Sequence, residues 1–237
     1  MAEEARKYDV STLVVVRGEI IRGDSVFREL PGTKKEVDEI ERILKTHNLT
    51  VVPYKGKMGT EESFLDMNRK APKILHIATH GFYYTPDDAQ QIDYLKGYSD
   101  AMSLSGLVMS GANAAWSGRN LPEGVLGGIL TASNIARLDL SNTQLAVLSA
   151  CQSGTGEATS EGLYGLQRAF KKAGVKTIIM SLWNVDDAVG SEFMTLFYEY
   201  LLDNNNWDKR AAFDKAKKTI RERYPEPFYW AGYVMLD

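Results

Sequence analysis

Residues 144–156 read QLAVLSACQSGTG, an almost wholly apolar run that ends on the chain's single cysteine, Cys151, and a loop holding Gly154 and Gly156. A continuous apolar run of this kind marks a strand buried on both faces, as in parallel sheets whose crossover helices cover them. Two more segments repeat the pattern. Residues 73–79 (KILHIAT) form an apolar strand ended by His80-Gly81, and residues 175–183 (VKTIIMSLW) form another. Helical stripes lie between and beyond them. Residues 160–173 put Leu163, Leu166, Ala169 and Phe170 on one face, with Gly174 where a C-terminal cap glycine belongs. Residues 187–202 carry the stripe Phe193, Leu196, Phe197 and Leu201, and residues 207–223 form a last helix halted by Pro225. Strands alternating with helices predict an α/β fold around a largely parallel sheet.

The N-terminal half is less regular. Residues 11–16 (STLVVV) read as a first strand. Thr33 and Glu36 match a capping box, opening a helix whose stripe is Val37, Ile40, Ile43 and Leu44. Residues 50–54 read as a short strand, and 61–69 as a short helix with Phe64, Leu65 and Asn68 inward. From 83 to 142 no clean helix is legible, while 104–109 and 128–130 suit small strands of a hairpin or flap. Loops this long in a compact domain are usually functional or partly disordered. The aromatic tail, 229–234, is expected to dock on the body. No repeat or flexible linker divides the chain, so residues 1–237 read as one domain.

The 237 residues include 28 Lys and Arg against 31 Asp and Glu, a net charge of −3 that gives no broad attraction to nucleic acid or anionic lipid. The longest apolar runs fall far below the ~20 residues of a membrane span. One cysteine forms no intramolecular disulfide and excludes Cys-based zinc sites.

In open parallel sheets, ligands bind beyond the carboxyl ends of the strands. The strand ends at His80-Gly81 and Ala150-Cys151 would, as neighbours, bring an imidazole to the only thiol. A thiolate is a strong nucleophile, and an imidazole can take its proton or pair with it. The amides of Gly81 and Cys151 are then placed to bind the oxyanion of a tetrahedral intermediate. The plainer alternative is that Cys151 is a small buried hydrophobe and His80 a turn residue. His76, inside the strand, reads as a hydrogen-bonded core histidine, and His47 as solvated. Gly154 and Gly156 lack the lysine of a phosphate loop. Lys34-Lys35 and Lys215 to Lys218 read as solvated helix faces. Arg119, in the long segment, is a conceivable cleavage site.

Three stretches resemble the CHAT domain, in the caspase-like clan of cysteine peptidases that includes separase: 75–82 (LHIATHGF), 128–157 (GILTASNIARLDLSNTQLAVLSACQSGTGE) and 161–187 (EGLYGLQRAFKKAGVKTIIMSLWNVDD). Residues 30–36 (LPGTKKE), 103–113 (SLSGLVMSGAN) and Tyr229-Trp230-Ala231 add to the likeness. The resemblance implies a caspase-like three-layer sandwich, a central mainly parallel sheet with helices on both faces. It implies Cys151 as nucleophile, His80 as general acid/base, and the Gly81 and Cys151 amides as oxyanion hole. Asn134 and Gln152 stand where many members carry acidic residues. By the same resemblance Asp187, helped by Asp186, lines a pocket for Arg or Lys before the scissile bond. The alternative is that both aspartates favour the macrodipole of the following helix. The implied function is cysteine endopeptidase action on a few sites in protein substrates. No cofactor or metal is called for, and neither nucleic acid nor membrane is an expected partner. A reduced thiol favours the cytoplasm. The contrasting reading is a non-catalytic or latent interaction domain, awaiting a regulatory partner or a missing N-terminal region. The chain reads as an excised C-terminal part of a longer protein.

Overall fold

The computed structural model describes residue 27 and residues 31–119, 126–152, 160–183, 185–203 and 207–237, with 31, 150–152 and 160–164 as backbone. The strand expected at 11–16 lies outside the described residues. Six strands form one sheet: β1 (Ile74–Tyr83), β2 (Ser105–Val108), β3 (Ile129–Thr131), β4 (Leu145–Gln152), β5 (Thr177–Ser181) and β6 (Tyr233–Leu236). Their order is β3-β2-β1-β4-β5-β6. β1, β4 and β5 are parallel, and β3 is antiparallel to β2, which is antiparallel to β1, so four strands share one direction. The apolar runs that predicted buried strands are the three central ones, and every residue of β1 and β5 is buried.

The helices are α1 (Pro31–Thr46), α2 (Glu61–Leu65), α3 (Pro86–Ala89), α4 (Ala112–Trp116), α5 (Ala132–Ile135), α6 (Ser160–Lys172), α7 (Asp187–Asp203), α8 (Lys209–Arg223) and α9 (Pro227–Trp230). Alternation along β1 sends Ile74 and Ala78 to one face and Leu75 and Ile77 to the other. The first face packs against α1, α7 and α8 through Ile40, Phe197 and Phe213. The second packs against α2, α5 and α6 through Phe64, Ile135 and Phe170. Helices thus cover both faces, giving the expected three-layer sandwich.

Four readings change. Residues 50–54 make only an isolated bridge at Thr50; Pro53 has no N–H to give a ladder. The helix at 61 ends at Leu65, and Met67 is buried while Asn68 is exposed and accepts the Asp139 N–H at 2.8 Å. α1 begins at Pro31, so Thr33 is a helical residue and makes no capping box with Glu36; proline suits the first helical position. The tail does more than dock. It forms β6, antiparallel to β5, and its Tyr233 stacks on Phe193 of α7 with ring centroids 3.9 Å apart. The expected hairpin is present as β2 paired with β3. Gly174 caps α6 at φ +97°, a backbone region that favours glycine.

Candidate active site

β1 and β4 do not stop where the sequence suggested. β1 runs on to Tyr83 because residues 81–83 pair with β2 after residues 74–81 have paired with β4. β4 runs to Gln152. The two strands are adjacent and parallel, and their register sets His80 opposite Cys151 and Gly81 opposite Gln152. Neighbouring strands lie ~4.8 Å apart, so this register puts the imidazole-bearing and thiol-bearing residues side by side. His80 is 7% exposed, and its ring meets the Phe27 ring at 5.8 Å.

A cleft of about 400 Å³, open mouth included, lies over β4, β5 and β6, where the first turns of α1 and α7 meet. Its lining includes Thr33 and Glu36 from α1, Ser149 from β4, Ser181 from β5, and Asp186 and Asp187 at the start of α7. Ser149 stands two residues before Cys151 on the same strand. Both aspartates are exposed. Asp186 accepts the Ala188 and Val189 N–H groups through Oδ1 at 3.0 and 3.2 Å, which caps α7. Asp187 occupies the first turn, and its Cβ would lie 2.8 Å from a Cβ placed on Gly32, so the first turns of α1 and α7 meet here. Asp186 thus caps the helix start, Asp187 stands in its first turn, and both line the cleft.

Glu36 is the residue that sequence reasoning placed wrongly. It is 3% exposed. Ser149 donates to its Oε2 at 2.9 Å, and His76 Nε2 lies 2.9 Å from its Oε1, at ion-pair distance but off the line of a good hydrogen bond. The other ring nitrogen of His76, Nδ1, is 3.2 Å from the Tyr198 hydroxyl. Burial, with the Glu36 charge second, holds Tyr198 well above the usual phenol range, so the hydroxyl keeps its proton. With the Glu36 carboxylate facing Nε2, the favoured tautomer of His76 carries its hydrogen there and leaves Nδ1 to accept from the Tyr198 hydroxyl. His76 is a hydrogen-bonded core histidine, as its place inside the strand suggested. A signal for Glu36 existed in the sequence: positions 36, 40, 43 and 44 share one helical stripe, so a carboxylate stands where an apolar residue was due.

Other candidates sit away from this site. His47 is exposed and bonds back to the Ile43 carbonyl at 2.9 Å. Asn134 closes the start of α5 with Thr131. Among the described residues, no group of three His, Cys, Asp or Glu side chains is placed to hold a metal ion, and no helix is long and apolar enough to cross a membrane.

The chain resembles two solved structures in fold. It superposes on gingipain R, an Arg-specific cysteine proteinase, with a TM-score of 0.55, 11% identity, and coverage of 97% of this chain and 45% of the other. Against separase in the Saccharomyces cerevisiae separase–securin complex the TM-score is 0.53 at 14% identity, covering 96% of this chain and 12% of that one. Sheet order, helices on both faces and these likenesses define a caspase-like α/β domain. Within that class the chain belongs to the CHAT domain family, whose model matches residues 6–236. Among curated proteins it is 29% identical over 209 residues to mouse tetratricopeptide repeat protein 28, covering 84% of this chain and 8% of the relative. The human tetratricopeptide repeat protein 28 is 33% identical over 110 residues, 46% of this chain and 4% of the relative. The chain thus spans less than a tenth of the length of these relatives.

Proposed function

We propose that this chain is a single cysteine endopeptidase domain that cuts protein substrates at a few sites through Cys151 and His80. The observation that carries the reading is the register of β1 and β4, with His80 opposite Cys151 at the carboxyl end of the sheet. The Cys151 thiolate adds to the scissile carbonyl carbon, and the amides of Gly81 and Cys151 bind the resulting oxyanion. The adduct collapses to a thioester as the amine leaves with a proton from His80. Water then attacks the thioester, giving its proton to His80, and the acid product leaves with the thiol restored. Asp186 and Asp187 line the cleft beside Ser149 and select Arg or Lys, a charge match that suits a bidentate guanidinium pair. The Arg specificity of gingipain R, which shares the fold, supports that choice. A thiol nucleophile suits the reducing cytoplasm.

Digestion of a mixed peptide library by the wild-type chain, Cys151→Ala and His80→Ala, read by mass spectrometry, tests this. Cleavage after Arg or Lys by wild type alone is expected; equal products from Cys151→Ala would refute the nucleophile. The relatives favour a second reading, in which the domain is latent or non-catalytic within a longer, repeat-containing protein and needs a partner to act. Under it, the isolated chain cuts nothing.

A further inference from the structure

The register of β1 fixes where His80 stands but not how its ring turns. Rotation about the bond to an imidazole is broad and roughly two-fold, so packing must choose the ring plane. Among the described residues, the Phe27 ring meets it, with centroids 5.8 Å apart and planes tilted by 41°. Phe27 is itself held tightly. It is 2% exposed, and it meets Trp116 edge-on at 5.0 Å. Its backbone is gripped from both sides by one side chain, that of Asn113 on α4. The Phe27 N–H donates to Asn113 Oδ1 at 3.3 Å, and Asn113 Nδ2 donates to the Phe27 carbonyl at 3.0 Å. A primary amide has both a donor and an acceptor, so it can stand in for a neighbouring strand. Trp116 in turn packs on Phe82 of β1 at 5.4 Å, two residues beyond His80.

We infer that Phe27, locked by Asn113, is a positioning residue for His80. The activity arm of this inference rests on the Cys–His reading above. Positioning within a fraction of an ångström and ~10–20° is what such a site demands of its acid/base. Neither a phenyl ring nor a primary amide takes a proton at neutral pH, so the role is one of position.

The test follows alkylation of Cys151 by iodoacetamide at pH 6 and pH 9 in wild type, Phe27→Ala, Asn113→Ala, the double variant and His80→Ala. At pH 6 a paired imidazole keeps the thiol ionised, so wild type is expected to react about tenfold or more faster than His80→Ala. Each single variant loses most of that excess, and the double loses no more than either, because the two residues act as one unit. At pH 9 the thiol is largely ionised without help, and all five react alike. Wild-type rates at pH 6 in both single variants, additive losses, or equal losses at both pH values would overturn the inference. Should wild type and His80→Ala agree at pH 6, the Cys–His reading fails instead. The clamp is then judged by the His80 Cε1 proton resonance, one of three of its kind in the chain. Asn113→Ala, which keeps the Phe27 ring but frees it, is expected to broaden or split that signal; an unchanged line would refute the clamp.

Discussion

Replacing Tyr198 by phenylalanine deletes one oxygen from the centre of the layer that backs the cleft. The ring remains, so packing against Phe197 and His76 is kept and the cavity left is small. What is lost is the hydroxyl that donates to His76 Nδ1 across 3.2 Å in a fully buried setting. A buried acceptor stripped of its donor costs roughly 1–3 kcal/mol. For a chain of this size each kcal/mol lowers Tm by about 2–4 °C, so a drop of roughly 2–12 °C is expected by calorimetry. The same change frees the tautomer. In wild type, nitrogen NMR of His76 should show Nδ1 as the bare nitrogen and Nε2 as the protonated one; Tyr198→Phe should mix the two. Stability should also fall above about pH 10 in wild type but less in Tyr198→Phe. Burial raises the folded-state pKa of Tyr198, so only the unfolded chain gains from ionising it there. A wild-type spectrum with the proton on Nδ1, or a Tm change below about 1 °C, would refute the proposed direction of this chain of donors.

Two further substitutions separate structure from selectivity. Asp186→Ala removes an N-cap and should cost about 1 kcal/mol in urea unfolding, while Asp186→Asn keeps the cap and costs a few tenths. If Asp186 also reads a basic side chain, Asp186→Asn should weaken the preference for Arg or Lys in the peptide digest while moving Tm by no more than about 1 °C. Glu61, at the start of α2, has its pKa raised chiefly by burial, against the opposing pull of the Gly128 N–H. A raised folded pKa means that stability from this group is full below about pH 4.5 and is lost as pH rises through the folded value. Glu61→Gln should therefore gain on wild type in urea midpoint between pH 4.5 and 7; a constant gap would contradict this.

The central strands were legible because burial on both faces leaves an unmistakable run of apolar residues, as in 145–148 and 177–180. Their true ends were not. β1 continues past Gly81 because β2, arriving from residues 105–108, supplies a new partner, and no local signal announces a partner. Residues 50–54 fail for the converse reason: β-branched residues without a neighbour make no strand. Ser149 and Glu36 were visible as polar residues at apolar positions, yet a capping-box pattern explained Glu36 away. Phe27 and Asn113 lie 86 positions apart and meet only in the folded chain. Asp186 as an N-cap was implicit in the aspartates before the α7 stripe.

The central claim is that Cys151 is a nucleophile served by His80. Its most direct test is exposure of the wild-type chain, Cys151→Ala and His80→Ala to peptide acyloxymethyl ketones differing only in the residue before the reactive carbonyl, followed by intact-mass measurement. The account predicts one adduct on wild type with the Arg or Lys probe, none on Cys151→Ala, and strongly slowed labelling of His80→Ala. Equal labelling of wild type and His80→Ala, or labelling that survives in Cys151→Ala, would contradict it.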